Sequence, residues 1–261
     1  MTVVVACTDA HRRYQCGGGA TGVGGRLRES GAGVRLGRRS TVREVDNRQV
    51  EQVFDKMAVH YERQMGLFER FVLGRARTWA VDQATGRVLE IAVGSGLNLP
   101  LYGPDVEHII GVDLSAGMLD VAERKVAAGD ANRVQLHRGD VQALDLPSES
   151  VDTVVSTFTF CTIPDPLLAS QEAFRVLVPG GRLVLAEHGP STNVVGRALM
   201  RAVEPLSVRF GADHLTRDPV PYLMASGFEI EKVERTGRGG IVFRVLARKP
   251  TVNGAVDPGL G

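Results

Sequence analysis

The stretch Val88-Leu89-Glu90-Ile91-Ala92-Val93-Gly94-Ser95-Gly96 constrains this chain more than any other. It reads as a buried parallel strand that ends in a tight glycine turn, with a carboxylate set just inside the strand. Two further acids occupy matching positions. Asp113 closes the apolar run His108-Ile109-Ile110-Gly111-Val112, 23 residues after Glu90. Asp140 closes Val134-Gln135-Leu136-His137-Arg138-Gly139, 27 residues further on. Three successive strands that each end in an acid, behind a Gly-x-Gly turn, describe a pocket for a nucleoside with two ribose hydroxyls and an amino-bearing base.

Each element has a physical reason. In an open parallel sheet, ligands settle outside the carboxyl ends of the strands, where the strand order reverses. Gly94 and Gly96 let the backbone approach a ligand without a Cβ in the way. An acid ending the second strand can accept two hydrogen bonds from vicinal hydroxyls, each worth roughly 1.5–3 kcal/mol to a charged acceptor. Asp140 can accept a hydrogen bond from an exocyclic amino group, and Glu90 can sit near an ammonium. That combination points to S-adenosylmethionine. A dinucleotide fold is the rival reading, but its third glycine is replaced by Leu99 with Pro100 directly after. The close helix–strand packing that glycine permits is therefore missing.

Length allows one sizeable core, and 43% apolar with 23% charged residues is ordinary for a globular enzyme. The net charge of +1 hides an asymmetry: residues 1–43 hold eight arginines against Asp9 and Glu29. A basic tail on a mildly acidic domain argues against nucleic acid as the partner of the fold. Residues 1–43, rich in glycine and arginine, are expected to be disordered, with an anionic-surface tether (a peripheral membrane contact) as one functional reading. Cys7, Cys16 and Cys161 show neither metal spacing nor a disulfide framework, so a reducing cytoplasm is the expected setting. No apolar run approaches a membrane span, and Thr2 to Cys7 is too short for a signal core.

Order is expected from about residue 44 to 250, with 251–261 a second flexible tail. Val50, Val53, Phe54, Met57, Ala58 and Tyr61 recur at helical spacing, and Leu67 to Val81 repeats the pattern. These helices read either as core packing or as a lid over the cofactor, with Tyr61 near its carboxylate. From Arg87 strands and helices alternate, the signature of a parallel sheet. Ser115 reads as an N-cap for a helix to Ala128, and Asp165-Pro166 as the start of one reaching about Val176. Pro179-Gly180-Gly181 turns into a strand from Arg182 to His188, and Pro219 to Ser226 makes a short helix. Phe228–Arg235 and Ile241–Arg248 are joined too tightly for a crossover, so that pair must be antiparallel. The expected fold is a doubly wound, Rossmann-like α/β sheet of seven strands, mostly parallel with an antiparallel last strand.

From about Phe54 to Lys249 the chain resembles the class I S-adenosylmethionine-dependent methyltransferases. The resemblance rests on Leu89-Glu90-x-Ala92-x-Gly94-x-Gly96, Gly111-Val112-Asp113-Leu114-Ser115-x-x-Met118-Leu119, Gly139-Asp140-Val141, Phe174-Arg175-Val176-Leu177-x-Pro179-Gly180-Gly181 and Phe54-Asp55-x-x-Ala58-x-x-Tyr61. It implies cofactor contacts from Tyr61, Glu90, Ala92, Gly94, Ser95, Gly96, Asp113, Leu114, Met118, Asp140, Val141 and Thr157. Ala92 departs from the pattern, standing where the family usually has its first glycine. Cys161-Thr162-Ile163-Pro164, Ala186-Glu187-His188 and His214-Leu215-Thr216-Arg217 look like one subgroup. It includes bacterial proteins labelled phosphatidylethanolamine N-methyltransferases and animal alkyl-thiol methyltransferases, and it borders the ubiquinone/menaquinone C-methyltransferases.

The expected acceptor is small and lipophilic: an amine, thiol, quinol or phospholipid head group. A neutral amine or thiol must shed a proton, which makes His188 and His214 the candidate bases. Residues 190–221 interrupt the regular core, and their stripe Val194, Val195, Ala198, Leu199, Ala202, Val203 and Leu206 is expected either to close an apolar acceptor pocket or to cover the sheet. A nucleotide-dependent oxidoreductase and a non-catalytic binder of the same cofactor are the alternatives. Neither the acceptor atom nor the oligomeric state is legible.

Overall fold

The structure, a computed structural model, describes residues 3–5, 45–68, 74–129 and 132–251. Helices α1 (Asn47–Met57), α2 (Tyr61–Phe68) and α3 (Ala76–Val81) precede the sheet. Asp46 starts α1 by accepting the Gln49 N–H at 2.8 Å. Where one helix was expected from Leu67 to Val81, Gly74 at φ +62° breaks the run. The alternation then proceeds through β2 (Gly86–Ile91), β3 (Val106–Asp113), α4 (Ala116–Ala128), β4 (Val134–Arg138), β5 (Val151–Thr157), α5 (Pro166–Val176) and β6 (Leu177–His188). It closes with α6 (Val194–Gly211), α7 (Val220–Ala225), β7 (Glu229–Thr236) and β8 (Val242–Arg248). Ser115 and Asp165 both act as N-caps, as expected.

The seven core strands run in the order β7-β8-β6-β5-β2-β3-β4. The pairs among β4, β3, β2, β5 and β6 are parallel, and β8 lies antiparallel between β6 and β7. Strand β1 (Val3–Val5) adds an eighth, antiparallel edge to β7. It falls within the segment read from sequence as a tail; three consecutive β-branched residues suit an open edge. The rest of residues 1–43, and residues 252–261, lie outside the described residues.

Strand order reverses between β2 and β5, because the chain first builds β3 and β4 on one side and then β5 and β6 on the other. Strand β2 is buried on both faces, so its side chains alternate between two cores. Leu89 and Ile91 pack with Val154, Leu183 and the α5 residues Ala169 and Ala173. Val88 packs on the opposite face with Val81, Ile109, Leu119 and Ala122. Each such large side chain contributes roughly 1.5–3 kcal/mol by leaving water. These two cores hold the carboxyl edge of β2 rigidly, and that edge carries the site.

Candidate active site

A cleft of ≈ 760 Å³, its open mouth included, lies at the carboxyl ends of β2, β3 and β5. Its floor is the turn after β2, lined by Ala92, Val93, Gly94, Ser95 and Leu97. On the β3–β4 side it meets Asp113, Leu114, Met118, Gly139, Asp140, Val141 and Gln142. On the β5 side it meets Thr157, Phe158, Thr159, Thr162, Ile163 and Pro164. Asn47, Val50 and Phe54 of α1, together with Tyr61 and Arg77, complete the wall. The first helix therefore contributes to the cleft as a roof.

Local chemistry explains how each side is held. Asp113 Oδ2 accepts the Gly94 N–H at 2.8 Å, and its Oδ1 accepts the Ser115 N–H at 2.8 Å. One carboxylate thus ties the β2 turn to the start of α4. Burial pushes this carboxyl above its ordinary range, against the downward pull of the Ser115 and Gly94 backbone donors. Asp140 accepts from Asn47 Nδ2 at 2.6 Å, from the Gln142 N–H at 2.9 Å and from Gln142 Nε2. Gln142 Nε2 also donates to Asn47 Oδ1 at 2.9 Å, which ties the roof helix to the β4 loop. At the other end of α1, Asp55 Oδ1 accepts from Ser115 Oγ at 2.5 Å and from the Gly117 N–H at 3.0 Å. An acid at the N-terminus of α4 also suits the helix dipole.

Ten of the twelve expected cofactor contacts line this cleft; Glu90 and Gly96 do not. Glu90 is sealed behind the wall at 2% exposure. Its Oε1 accepts from Asn98 Nδ2 at 2.7 Å and its Oε2 from the Tyr102 hydroxyl at 2.8 Å. Arg77 Nη1 extends the network to Asn98 Oδ1 and Thr157 Oγ1, both at 2.9 Å. Burial lifts the Glu90 pKa to about 7, against the pull of Tyr102, Arg77 and Asn98. In this geometry Glu90 braces the wall through Asn98 and Arg77. Gly96 packs below the turn at φ +73°, where a Cβ would meet Leu99 Cδ1 at 2.8 Å. Ala92 takes φ +50°, a left-handed conformation that glycine adopts without strain.

Neither histidine lines the cleft. His188 Nε2 lies 3.2 Å from Asp213 Oδ1, drawn toward the segment that follows α6. Burial opposes its charge, yet Asp213 and Glu187 hold the imidazole protonated with a pKa of about 9. A proton held that firmly makes His188 a poor base near neutral pH. Burial and the neighbouring Arg217 lower His214 to about 4. The three short subgroup motifs instead meet in one network behind the β5 wall. Glu187 Oε2 accepts the Thr159 N–H at 2.6 Å, and the His214 N–H donates to the Cys161 carbonyl at 2.9 Å. Arg217 Nη1 donates to the Phe160 and Ile163 carbonyls, each at 2.6 Å. Their evident work is to shape the loop 158–164.

The apolar stripe of residues 194–206 is also corrected. Val194, Val195, Leu199, Val203 and Leu206 are exposed, neither covering the sheet nor lining the cleft. Helical spacing identifies a face; it does not say what lies against it. Conversely, Asn47, Arg77 and Gln142 carry wall and roof without a sequence signal beyond the closeness of Gln142 to Asp140.

Fold and cleft together define an α/β enzyme that binds a nucleoside cofactor at the point where the sheet order reverses. The family described as "Methyltransferase domain" matches residues 89–185. The chain is 38% identical over 154 residues to the phosphatidylethanolamine N-methyltransferase of Cereibacter sphaeroides, covering 56% of this chain and 75% of that protein. It is 31% identical over 172 residues to the demethylmenaquinone methyltransferase of Clavibacter sepedonicus, covering 62% and 68%. Among solved structures, Haemonchus contortus phosphoethanolamine N-methyltransferase 2, in complex with S-adenosyl-L-methionine, shares the fold with a TM-score of 0.59 at 19% identity, covering 76% of this chain and 57% of that one. This chain belongs to the S-adenosylmethionine-dependent methyltransferases. The oxidoreductase alternative falls with that finding.

Proposed function

We propose that this methyltransferase acts on a small lipophilic acceptor that enters at the β5 side of the cleft. The observation that carries the reading is the asymmetry of the two sides. The β3–β4 side offers carboxylates and amides, namely Asp113, Asp140, Gln142 and Asn47. The β5 side offers Phe158, Ile163 and Pro164 with the hydroxyls of Thr157, Thr159 and Thr162. The acidic side suits a nucleoside, with Asp113 toward the ribose, Asp140 toward the base edge, and Leu114, Met118 and Val141 against the base. Backbone donors from Gly94, Ser115 and Leu114 fill part of the roughly four lone-pair sites of the Asp113 carboxylate, which leaves room for a ligand hydroxyl. The β5 side is then left for the acceptor. The Cereibacter and Clavibacter relatives carry lipid acceptors in their names, which supports a lipophilic one here, while the Haemonchus structural neighbour, at 19% identity, is named for phosphoethanolamine.

The cofactor supplies an already activated methyl group on a sulfonium. What the chain adds is placement, and in-line positioning is worth up to roughly 7–11 kcal/mol. On this reading the two aspartates of the cleft serve the nucleoside, and neither histidine lines the cleft. An amine or thiol acceptor is therefore bound in its deprotonated form, and rate follows that fraction. The test is turnover with labelled methyl donor against thiols, amines, quinols and phospholipids of graded chain length. We expect kcat/KM to rise with chain length, and its pH profile to follow the pKa of the acceptor. Equal rates for hydrophilic and lipophilic members, or a profile independent of the acceptor, would overturn the reading.

A further inference from the structure

Helix α6 is the longest helix among the described residues, and Val208 is its one buried side chain. Its outer face repeats large apolar residues four or seven positions apart, the spacing of one helix face: Val195 is 78% exposed, Leu199 65%, Leu206 64% and Phe210 68%. Stripes of this kind normally face a core. Val194 and Val203 widen the patch. The charges on the helix are sorted with it. Arg197, Arg201 and Arg209 have no ion partner among the described residues. The single acid, Glu204, is turned inward, accepting the Thr216 N–H at 3.0 Å and the Thr216 hydroxyl at 2.7 Å.

We infer that this face of α6 is a docking surface for an anionic lipid bilayer, on which the helix lies in the interfacial plane. An apolar stripe flanked by arginines is the composition of a helix that lies on a membrane. No helix among the described residues is long and apolar enough to cross one. Charge selects the occupant. A second copy packed face to face by a twofold axis would bring arginine-bearing surfaces together, which costs energy, whereas acidic head groups complement them. Residues 1–43 add eight arginines of the same sign. The helix is also joined to the cleft. Gln49 Nε2 of the roof helix donates to the Val208 carbonyl at 3.0 Å, and Val50, which lines the cleft, packs with Val208 and Ala212. Through Thr216 it is next in chain to Arg217, which holds the Phe160 and Ile163 carbonyls. The docking surface stands whether or not the methyl acceptor is itself a lipid.

The full chain is sedimented with vesicles of phosphatidylcholine alone, or of phosphatidylcholine and phosphatidylglycerol in equal parts. Binding is expected to the acidic vesicles and to weaken by about tenfold or more in Leu199→Glu/Phe210→Glu. Arg201→Gln/Arg209→Gln is expected to bind more weakly and to lose most of the salt dependence contributed by the helix. Thermal melts close to wild type confirm that these exposed substitutions leave the fold intact. The inference is overturned if the wild type ignores acidic vesicles. It is also overturned if Leu199→Glu/Phe210→Glu binds like the wild type, which would assign the attraction to residues 1–43. A wild-type dimer in light scattering that Leu199→Glu/Phe210→Glu converts to monomer would give the face to a second copy instead.

Discussion

Replacing Asp113 by alanine tests the site at the residue where folding and ligand binding share one carboxylate. Without ligand, the substitution frees the N–H groups of Gly94 and Ser115. Gly94 faces the cleft, where water can take over the lost bond, so its share is small. Ser115 is buried, and an unsatisfied buried donor costs roughly 1–3 kcal/mol. Relief of the buried charge offsets part of this, because burial already disfavours the ionised carboxyl. The expected net loss of apo stability is about 2 kcal/mol, read from urea unfolding without ligand. Binding suffers separately, since hydroxyl bonds to a charged acceptor are worth roughly 1.5–3 kcal/mol. Calorimetry with S-adenosylhomocysteine is therefore expected to show at least a tenfold loss of affinity. Asp113→Asn should fall between, because its amide nitrogen would confront one of the two backbone donors. Unchanged affinity in a folded variant would remove Asp113 from the cofactor site. Unchanged apo stability would refute the structural half of the argument.

Two further outcomes follow from the same geometry. The His188 pKa of about 9 lies above its ordinary 6.5, so its ion pairs stabilise the fold fully below about pH 6.5 and are lost as pH rises through 9. Linkage makes this on the order of 3 kcal/mol, and His188→Gln should flatten the fall of unfolding free energy across that window; parallel curves would rule it out. In the β2 turn, Gly96→Ala combines a left-handed φ with a Cβ 2.8 Å from Leu99 Cδ1. It is expected to cost about 2–4 kcal/mol, whereas Ala92→Gly trades relieved strain against chain entropy and should change stability by no more than about 1 kcal/mol. Melting temperatures that rank the two the other way would refute the reading of the turn.

What the sequence determined by itself was everything that local chemistry encodes. The alternation from Arg87 onward, the caps Ser115 and Asp165, the Gly-x-Gly turn and the short link before β8 depend on neighbours within a few residues. They were enough to establish the parallel sheet, its reversed last strand and the edge on which Asp113 and Asp140 sit. Tertiary structure decided which side chains face the cleft. Glu90 carries the spacing of a ligand-binding acid, but Asn98 and Tyr102 enclose it, and only packing brings them there. His188 ends a cofactor-edge strand, yet an aspartate 25 residues away holds its proton. The α6 stripe shows the limit most plainly. Its period is that of a core helix, and its exposure was settled by where the other described elements do not reach. Periodicity is a property of one segment, whereas burial is a property of two.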